Sequence, residues 1–160
     1  MLIAFDVIFT RLLAVNVLWA KLGLGFAAVA LSAILYGPVW AGVTAALGDL
    51  TGSLLFPTGA FFPGFTATAA ITGIIFGLML HGERPDLKRC FFAALINVLL
   101  VTLVLNSLMI ILVFEPSGIG PLMLARGFEA LLMLIVETGV LHALTASDAL
   151  YARIEQLKNR

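Results

Sequence analysis

The chain has 160 residues, of which 62% are hydrophobic and only 11% are charged. Soluble domains are about 45–50% apolar and about 25% charged, so this composition excludes a soluble domain and predicts an integral membrane protein. Nine basic and nine acidic side chains give a formal net charge of zero, which argues against nucleic acid as a partner because no basic field would hold phosphates.

Six apolar stretches follow one another along the chain, and a bilayer core is crossed by about 20 apolar helical residues. The sequence therefore predicts an all-α fold, a six-helix transmembrane bundle that forms a single integral membrane domain over residues 1–160. The predicted spans are approximately 2–19, 24–36, 39–56, 65–81, 90–114 and 122–144, and a polar cytoplasmic tail follows at 145–160. Gly37–Pro38 separates the second span from the third, since one helix over 24–56 would be about 50 Å long.

Basic residues outside the spans form two clusters, one after the fourth span and one in the tail. They are Arg84, Lys88 and Arg89, and then Arg153, Lys158 and Arg160. Cytoplasmic loops carry an excess of Lys and Arg, so both clusters and both termini are predicted to be cytoplasmic. The loop FPTGAFFPGF, Phe56–Phe65, then lies outside, and its apolar character indicates that it packs over something.

Charged side chains within the predicted spans are costly in lipid unless they are paired or turned inward. Arg11 lies at mid-depth, and four polar residues lie in the outer halves of their spans: Asp49, Asn106, Arg126 and Glu129. They predict a polar cavity that opens outward beside the aromatic loop. The alternative is a structural role in ion pairs, Arg11 with Asp49 and Arg126 with Glu129. Asp6 and Glu137 are predicted to lie nearer the cytoplasm.

Small residues recur four apart in spans three and four, at Gly48 and Gly52 and at Ala69, Gly73 and Gly77. Such spacing lets membrane helices approach closely. It fits close packing inside the bundle or a docking face for another membrane subunit, and the spacing alone does not choose between them.

Several catalytic signatures are missing from the sequence. There is no G-x-x-x-x-G-K-[ST] phosphate loop and no H-E-x-x-H zinc motif, so neither ATP hydrolysis by that route nor a cofactor is expected in this chain. Cys90 is the single cysteine, which excludes an internal disulfide. A small intramembrane enzyme or a channel is the rival interpretation from another functional class.

The central stretch LYGPVWAGVTAALGDLTGSLLFPTGAFFPGFTATAAITGIIFG, residues 35–77, resembles the signature region of S-components of energy-coupling factor (ECF) vitamin transporters. It looks most like the folate-specific branch. Thr10–Arg11 is similar to the S-T-R or S-R of span one in that family, and LGLGF, residues 22–26, is similar to the outer loop that follows. Branches for pantothenate and other vitamins share parts of the motif.

The resemblance implies a multi-pass protein of a prokaryotic plasma membrane that binds a vitamin from outside and catalyses nothing itself. It implies three partner subunits, a transmembrane coupling subunit (EcfT-type) and two cytoplasmic ATPases that use ATP, and delivery by toppling of the S-component in the membrane. In the family an alanine-x-x-x-alanine patch in span one docks the coupling subunit. Here Ala4 is followed at i+4 by Ile8, so that motif is not intact.

Folate, the ligand that the resemblance implies first, carries a pterin, a benzoate ring and a glutamate tail. Aromatic residues would stack on its rings, arginines would bind its carboxylates through two parallel hydrogen bonds, and amide or carboxylate groups would read the pterin edge. The candidates for stacking are Trp19, Phe26, Phe61 and Phe62. The candidates for binding the carboxylates are Arg11 and Arg126, and those for reading the pterin edge are Asn106, Asp49 or Glu129. Pro57 and Pro63 would hold Phe61 and Phe62 as a rigid lid. The alternatives are pantothenate or another small anionic vitamin as ligand, and packing or lipid contact for each Phe.

Overall fold

The computed structural model describes residues 2–12, 15–17, 20–22, 24–57, 62–82, 84–114 and 119–146. The described chain is almost entirely helical. In chain order the helices are α1 (Leu2–Val7), α2 (Gly25–Leu55), α3 (Pro63–Leu80), α4 (Leu87–Ile96), α5 (Asn106–Phe114) and α6 (Ile119–Ala146). Two π-helical segments continue this pattern: Ile8–Leu12 extends α1, and Asn97–Leu105 joins α4 to α5. Two short strands, β1 (Val15–Val17) and β2 (Ala20–Leu22), form an antiparallel pair.

Helix α2 folds back on itself at Gly37. This residue has φ 82° and ψ −174°, a conformation that glycine adopts without a Cβ penalty, and Pro38 lacks the N–H that would continue the helix. The hydroxyl oxygens of Ser32 and Thr44 lie 2.9 Å apart, whereas residues twelve apart in a straight helix are separated by about 18 Å. The helix therefore consists of two antiparallel arms, 25–36 and 39–55, with the break at the predicted position.

Four helical stretches of the described chain are long and apolar enough to cross a bilayer: Gly25–Leu55, Pro63–Leu80, Leu87–Val113 and Leu122–Ala146. Large apolar side chains cover the outside of these helices. Val39, Leu78 and Leu124 are 72%, 69% and 79% exposed, while small residues such as Ala33 and Ala93 are fully buried. This arrangement confirms the helical membrane bundle as the class of fold. The count of six spans and the side on which the termini lie stay predictions.

The first predicted span, residues 2–19, is wrong in its second half. Helical structure ends at Leu12, and the chain then forms the antiparallel pair of β1 and β2, in which Asn16 lies opposite Lys21. The β-branched residues Val15 and Val17 favour a strand, and an apolar run does not by itself distinguish strand from helix. At the other end, α6 continues to Ala146 into the predicted tail, whose residues 147–160 lie outside the described chain.

Helix α3 packs against α2 through glycine. A Cβ built on Gly73 would overlap the backbone of Ala41 and Gly42, and one built on Gly77 would overlap the backbone of Pro38. Close approach of this kind is what small residues four apart allow in membrane bundles. The ridge on α3 therefore serves packing inside the bundle, the first of the two roles predicted for it.

Candidate functional site

A cavity of about 270 Å³ lies between the helices. Its volume is just below the range of about 300–1,000 Å³ that is typical of small-molecule sites. The wall includes side chains from α1, both arms of α2, α3, both π-helical segments, α5 and α6. Each membrane helix therefore turns some polar groups toward this space while its apolar side chains face outward.

The cavity wall is rich in hydrogen-bond acceptors. Among the described side chains it holds four carboxylates and one guanidinium: Asp6, Asp49, Glu129 and Glu137, and Arg126. No cluster of three His, Cys, Asp or Glu that could hold a metal ion occurs in the described part of the chain. Acceptors in this number suit a ligand that brings several N–H or O–H donors.

Two glycines of α2 make room for Asp6 of α1. A Cβ at Gly25, on the first arm, or at Gly48, on the second arm, would overlap the Asp6 carboxylate. The Thr10 hydroxyl donates to Asp6 Oδ1 at 3.1 Å, and Asp6 is only 6% exposed. Asp6 and Glu137, which were predicted to lie nearer the cytoplasm and were not among the predicted site residues, both line the cavity.

Threonines of α3 hold two of the predicted site residues. The Thr66 hydroxyl donates to Asp49 Oδ2 at 2.8 Å, and the Thr68 hydroxyl lies 2.8 Å from Asn106 Oδ1 and from the carbonyl oxygen of Phe65. These contacts join α3 to the second arm of α2 and to α5. They fix the orientation of Asp49 and Asn106 where both side chains reach the cavity.

Arg126 and Glu129 form an ion pair on α6, with Arg126 Nη1 2.6 Å from Glu129 Oε2. Their side chains are 15% and 12% exposed, and both line the cavity. The structural pair that the spacing suggested is therefore present. Because a guanidinium carries five N–H donors and this bond uses one, Arg126 keeps donors for a ligand.

Asn97 and Glu137 form the most deeply buried polar contact in the cavity wall. Asn97 Nδ2 lies 3.0 Å and 3.1 Å from the two carboxylate oxygens of Glu137, and the two residues are 4% and 2% exposed. Asn97 Oδ1 is buried and has no hydrogen-bond partner among the described residues.

The π-helical segment determines which residues of the fifth predicted span reach the cavity. In a π-helix residues five apart lie on one face, whereas in an α-helix they are about 140° apart. Asn97 and Thr102 form one such pair, Val101 and Asn106 form another, and all four line the cavity. An α-helical register over this span would separate Asn97 from Asn106, so the sequence did not predict their shared face.

Five of the nine predicted site residues line the cavity: Phe26, Asp49, Asn106, Arg126 and Glu129. Phe62 does not; it is the residue just before α3, with its ring 6.2 Å from that of Phe65 and edge-on to it. The side chains of Arg11, Trp19 and Phe61 lie outside the described part of the chain. A role in ligand binding stays a prediction for all nine.

The sequence analysis missed Asn97, Asp6, Thr10, Thr72 and Glu137 as residues of the cavity wall. A signal was available for two of them. Asn97 and Glu137 are a polar and an acidic residue in the middle of two of the most apolar stretches, and such residues in a span mark functional sites by default.

Residues 1–147 match the family model described as "ECF transporter, substrate-specific component". Two similar proteins are each named "Folate transporter FolT". The protein from Clostridium novyi (strain NT) is 36% identical over 107 residues, which are 67% of this chain and 62% of that protein. The protein from Leuconostoc mesenteroides subsp. mesenteroides is 30% identical over 146 residues, which are 88% of this chain and 78% of that protein. The chain thus aligns with less than two thirds of the Clostridium protein.

A solved structure described as "Crystal structure of FolT bound with folic acid" resembles the fold, with a TM-score of 0.85 and 27% sequence identity. The match covers 94% of this chain and 90% of that chain. The likeness therefore extends over nearly the whole bundle, beyond the central stretch of residues 35–77.

Proposed function

Because the chain belongs to the family of substrate-specific components of ECF transporters, we propose that it is the folate-binding membrane subunit of an ATP-driven vitamin importer. The family is one of transporter components, not of enzymes. Both similar proteins are named folate transporters, and the similar structure holds folic acid. The observation that carries the proposal is the polar cavity of about 270 Å³ inside a bundle with an apolar exterior.

The cavity offers complementary chemistry for a ligand that has both rings and carboxylates. Phe26 is an aromatic residue of its wall on the first arm of α2, suited to stacking on a flat ring. Arg126 has free N–H donors for a carboxylate, and Glu129 beside it holds the guanidinium in place. Arg11, Trp19 and Phe61 complete the proposed site from the segments before α2 and α3.

Six membrane spans with both termini in the cytoplasm fit this role. The reversal of α2 at Gly37 supports a division of its 31 residues into two spans. Arg84 donates to the carbonyl oxygens of Thr145 and Ala146 at 2.9 Å and 2.8 Å, so the two predicted cytoplasmic segments meet at one end of the bundle. In this arrangement a bacterial plasma membrane surrounds the chain, and the cavity opens to the outside.

Transport requires a motor, and the sequence contains no phosphate loop of the P-loop type. We propose that two cytoplasmic ATPases supply the energy and that an EcfT-type membrane subunit couples them to this chain. Toppling of this chain in the membrane is the proposed delivery step. Ala4 and Phe5 of α1 and Ile8 of the π-helical segment that extends it form an exposed face, with Phe5 49% and Ile8 41% exposed. This face is available to the coupling subunit even though the alanine pair of the family is not intact.

Calorimetric titration of the detergent-purified chain tests the ligand. Folate and, separately, pantothenate are titrated into the chain without any partner subunit, and folding of the sample is checked by its circular dichroism. We expect saturable one-to-one binding of folate and no heat from pantothenate. Binding of pantothenate without binding of folate would change the proposed ligand to pantothenate and leave the assignment to the family unchanged. The absence of binding heat with both ligands, in a folded sample, would contradict the proposed function.

The loop before α3 is proposed to cover the bound ligand, which leads to a kinetic prediction. Replacement of Phe61 and Phe62 together with Ala should accelerate release of folate, because the ligand loses an apolar cover that excludes water. Stopped-flow fluorescence of bound folate, displaced by an excess of unlabelled competitor, measures the off-rate.

Phe91 and Phe92 supply the matched control for that double variant. They too are adjacent phenylalanines, with ring centroids 5.9 Å apart, but they lie on α4, are 40% and 51% exposed and are absent from the cavity wall. Their double replacement with Ala should leave the off-rate unchanged. An unaltered off-rate in the Phe61 and Phe62 variant would show that the loop is not a lid.

A further inference from the structure

The buried pair Asn97 and Glu137 forms a subsite of its own within the cavity. Resting on the proposed function, we infer that this pair binds the N–H donor edge of the ligand's heterocyclic ring and so determines which ring is accepted. The candidates suggested by the sequence for that task were Asn106, Asp49 and Glu129. Each of these three already has a close polar partner inside the bundle: Thr68, Thr66 and Arg126.

The pair has acceptor capacity left over. A carboxylate accepts about four hydrogen bonds, and Glu137 receives two from Asn97 Nδ2, at 3.0 Å and 3.1 Å. The described side chains give Glu137 no cationic partner. Asn97 Oδ1 adds a third acceptor atom, buried and without a partner among the described residues. Buried acceptors of this kind are normally satisfied, so a donor from the ligand is the expected complement.

The two carboxylate oxygens of Glu137 and Asn97 Oδ1 together favour a ligand that presents adjacent N–H donors along one edge of a ring. A 2-amino-4-oxo-pyrimidine ring, as in a pterin, carries a ring N–H next to an exocyclic amino group. A carboxylate accepts from two adjacent N–H groups of this kind in parallel, and that geometry gives specificity as well as strength. A ring that lacks the amino group would leave an acceptor of the pair unsatisfied, which is the strongest form of discrimination available to a polar site.

The position of the pair also predicts the orientation of the ligand. Arg126 and Glu137 both lie on α6, eleven residues apart, so they are separated by about 16 Å along the helix axis. The guanidinium of Arg126 thus lies toward one end of the cavity, and the Asn97–Glu137 pair lies toward the other. An elongated ligand with a donor-rich ring and an anionic tail fits with its ring at Asn97 and Glu137 and its carboxylates toward Arg126.

The test compares folate with an analogue that has a methyl group in place of the 2-amino group of the pterin. Both ligands are titrated calorimetrically into the wild-type chain and into Glu137→Gln, which keeps the size of the side chain and replaces one acceptor with a donor. The wild-type chain should prefer folate by more than about tenfold. In Glu137→Gln the affinity for folate should fall by more than about tenfold and the two ligands should bind almost equally.

Asp86→Asn is the matched control, the same change from carboxylate to amide at an exposed residue just before α4 and outside the cavity wall. It should keep the wild-type preference. If Glu137→Gln does not fold, Asn97→Ser takes its place, because serine retains a hydroxyl donor for Glu137 and removes Oδ1; a reduced preference is again expected.

Two results would overturn the inference, and they are distinguishable. A wild-type chain that binds folate, together with a folded Glu137→Gln or Asn97→Ser variant that keeps the full preference for the amino group, would contradict the subsite and leave the proposed function standing. A folded wild-type chain that binds neither ligand would contradict the proposed function, and the subsite would fail with it.

Discussion

Replacement of Arg126 with Ala should weaken folate binding by more than about tenfold. A hydrogen bond to a charged group contributes about 1.5–3 kcal/mol, and about 1.4 kcal/mol corresponds to a factor of ten in affinity. The variant removes the guanidinium of the described cavity wall, and it also leaves Glu129 without the partner that lies 2.6 Å away. Calorimetric titration of folate into both proteins gives the ratio of dissociation constants.

Two further variants separate the geometry of Arg126 from its charge. Arg126→Lys keeps the positive charge and loses the planar fork, so its affinity should lie between those of the wild-type chain and Arg126→Ala. Arg89→Ala removes an exposed arginine on α4 that is outside the cavity wall and should have no effect. Equal affinity of Arg126→Ala and the wild-type chain would assign Arg126 to the structural pair with Glu129 alone.

Composition and the length of the apolar stretches were enough to predict the class of fold. An apolar fraction of 62% can be accommodated only if lipid covers the outside, and the structure confirms helices with apolar exteriors. The Gly37–Pro38 break was also predictable, because proline removes a helix hydrogen bond and glycine tolerates φ 82°. These features are local, and each is encoded by residues adjacent in the chain.

The first span shows where that approach failed. Residues 2–19 are mostly apolar, and hydropathy has no term that distinguishes the antiparallel strands Val15–Val17 and Ala20–Leu22 from a membrane helix. The alternation of Val15, Asn16 and Val17 was the available signal, but it extends over only three residues. Segments this short are decided by their tertiary surroundings.

The cavity was predictable in kind and only partly in detail. Polar residues within spans must be turned inward, and this rule placed Asp49, Asn106 and Glu129 in one site. It did not place Asn97, because that residue shares a face with Asn106 through the wider turn of the π-helical segment. Nor did it place Asp6, whose position depends on the absence of a Cβ at Gly25 and at Gly48, two residues far apart in the chain.

Replacement of Gly73 with Leu should prevent formation of the native bundle or lower its thermal midpoint strongly. Any Cβ at this position overlaps the carbonyl group of Ala41 and the backbone nitrogen of Gly42, and backbone atoms inside a helix have little freedom to move. Gly73→Ala is the milder test, with an expected loss of about 1–3 kcal/mol from overpacking. Unfolding is followed in detergent by size-exclusion chromatography after heating.

Gly139 on α6 supplies the matched control, because a Cβ there meets no atom within 4 Å among the described residues. Alanine at either position improves helix propensity by a similar amount, so the difference between Gly73→Ala and Gly139→Ala isolates the steric term. The same clash should also reduce folate affinity, since α3 carries Ala69 and Thr72 of the cavity wall and positions Thr66 against Asp49. A Gly73→Leu protein with the wild-type midpoint would mean that α3 does not approach α2 as closely as described, and the packing that forms the cavity would then need a different explanation.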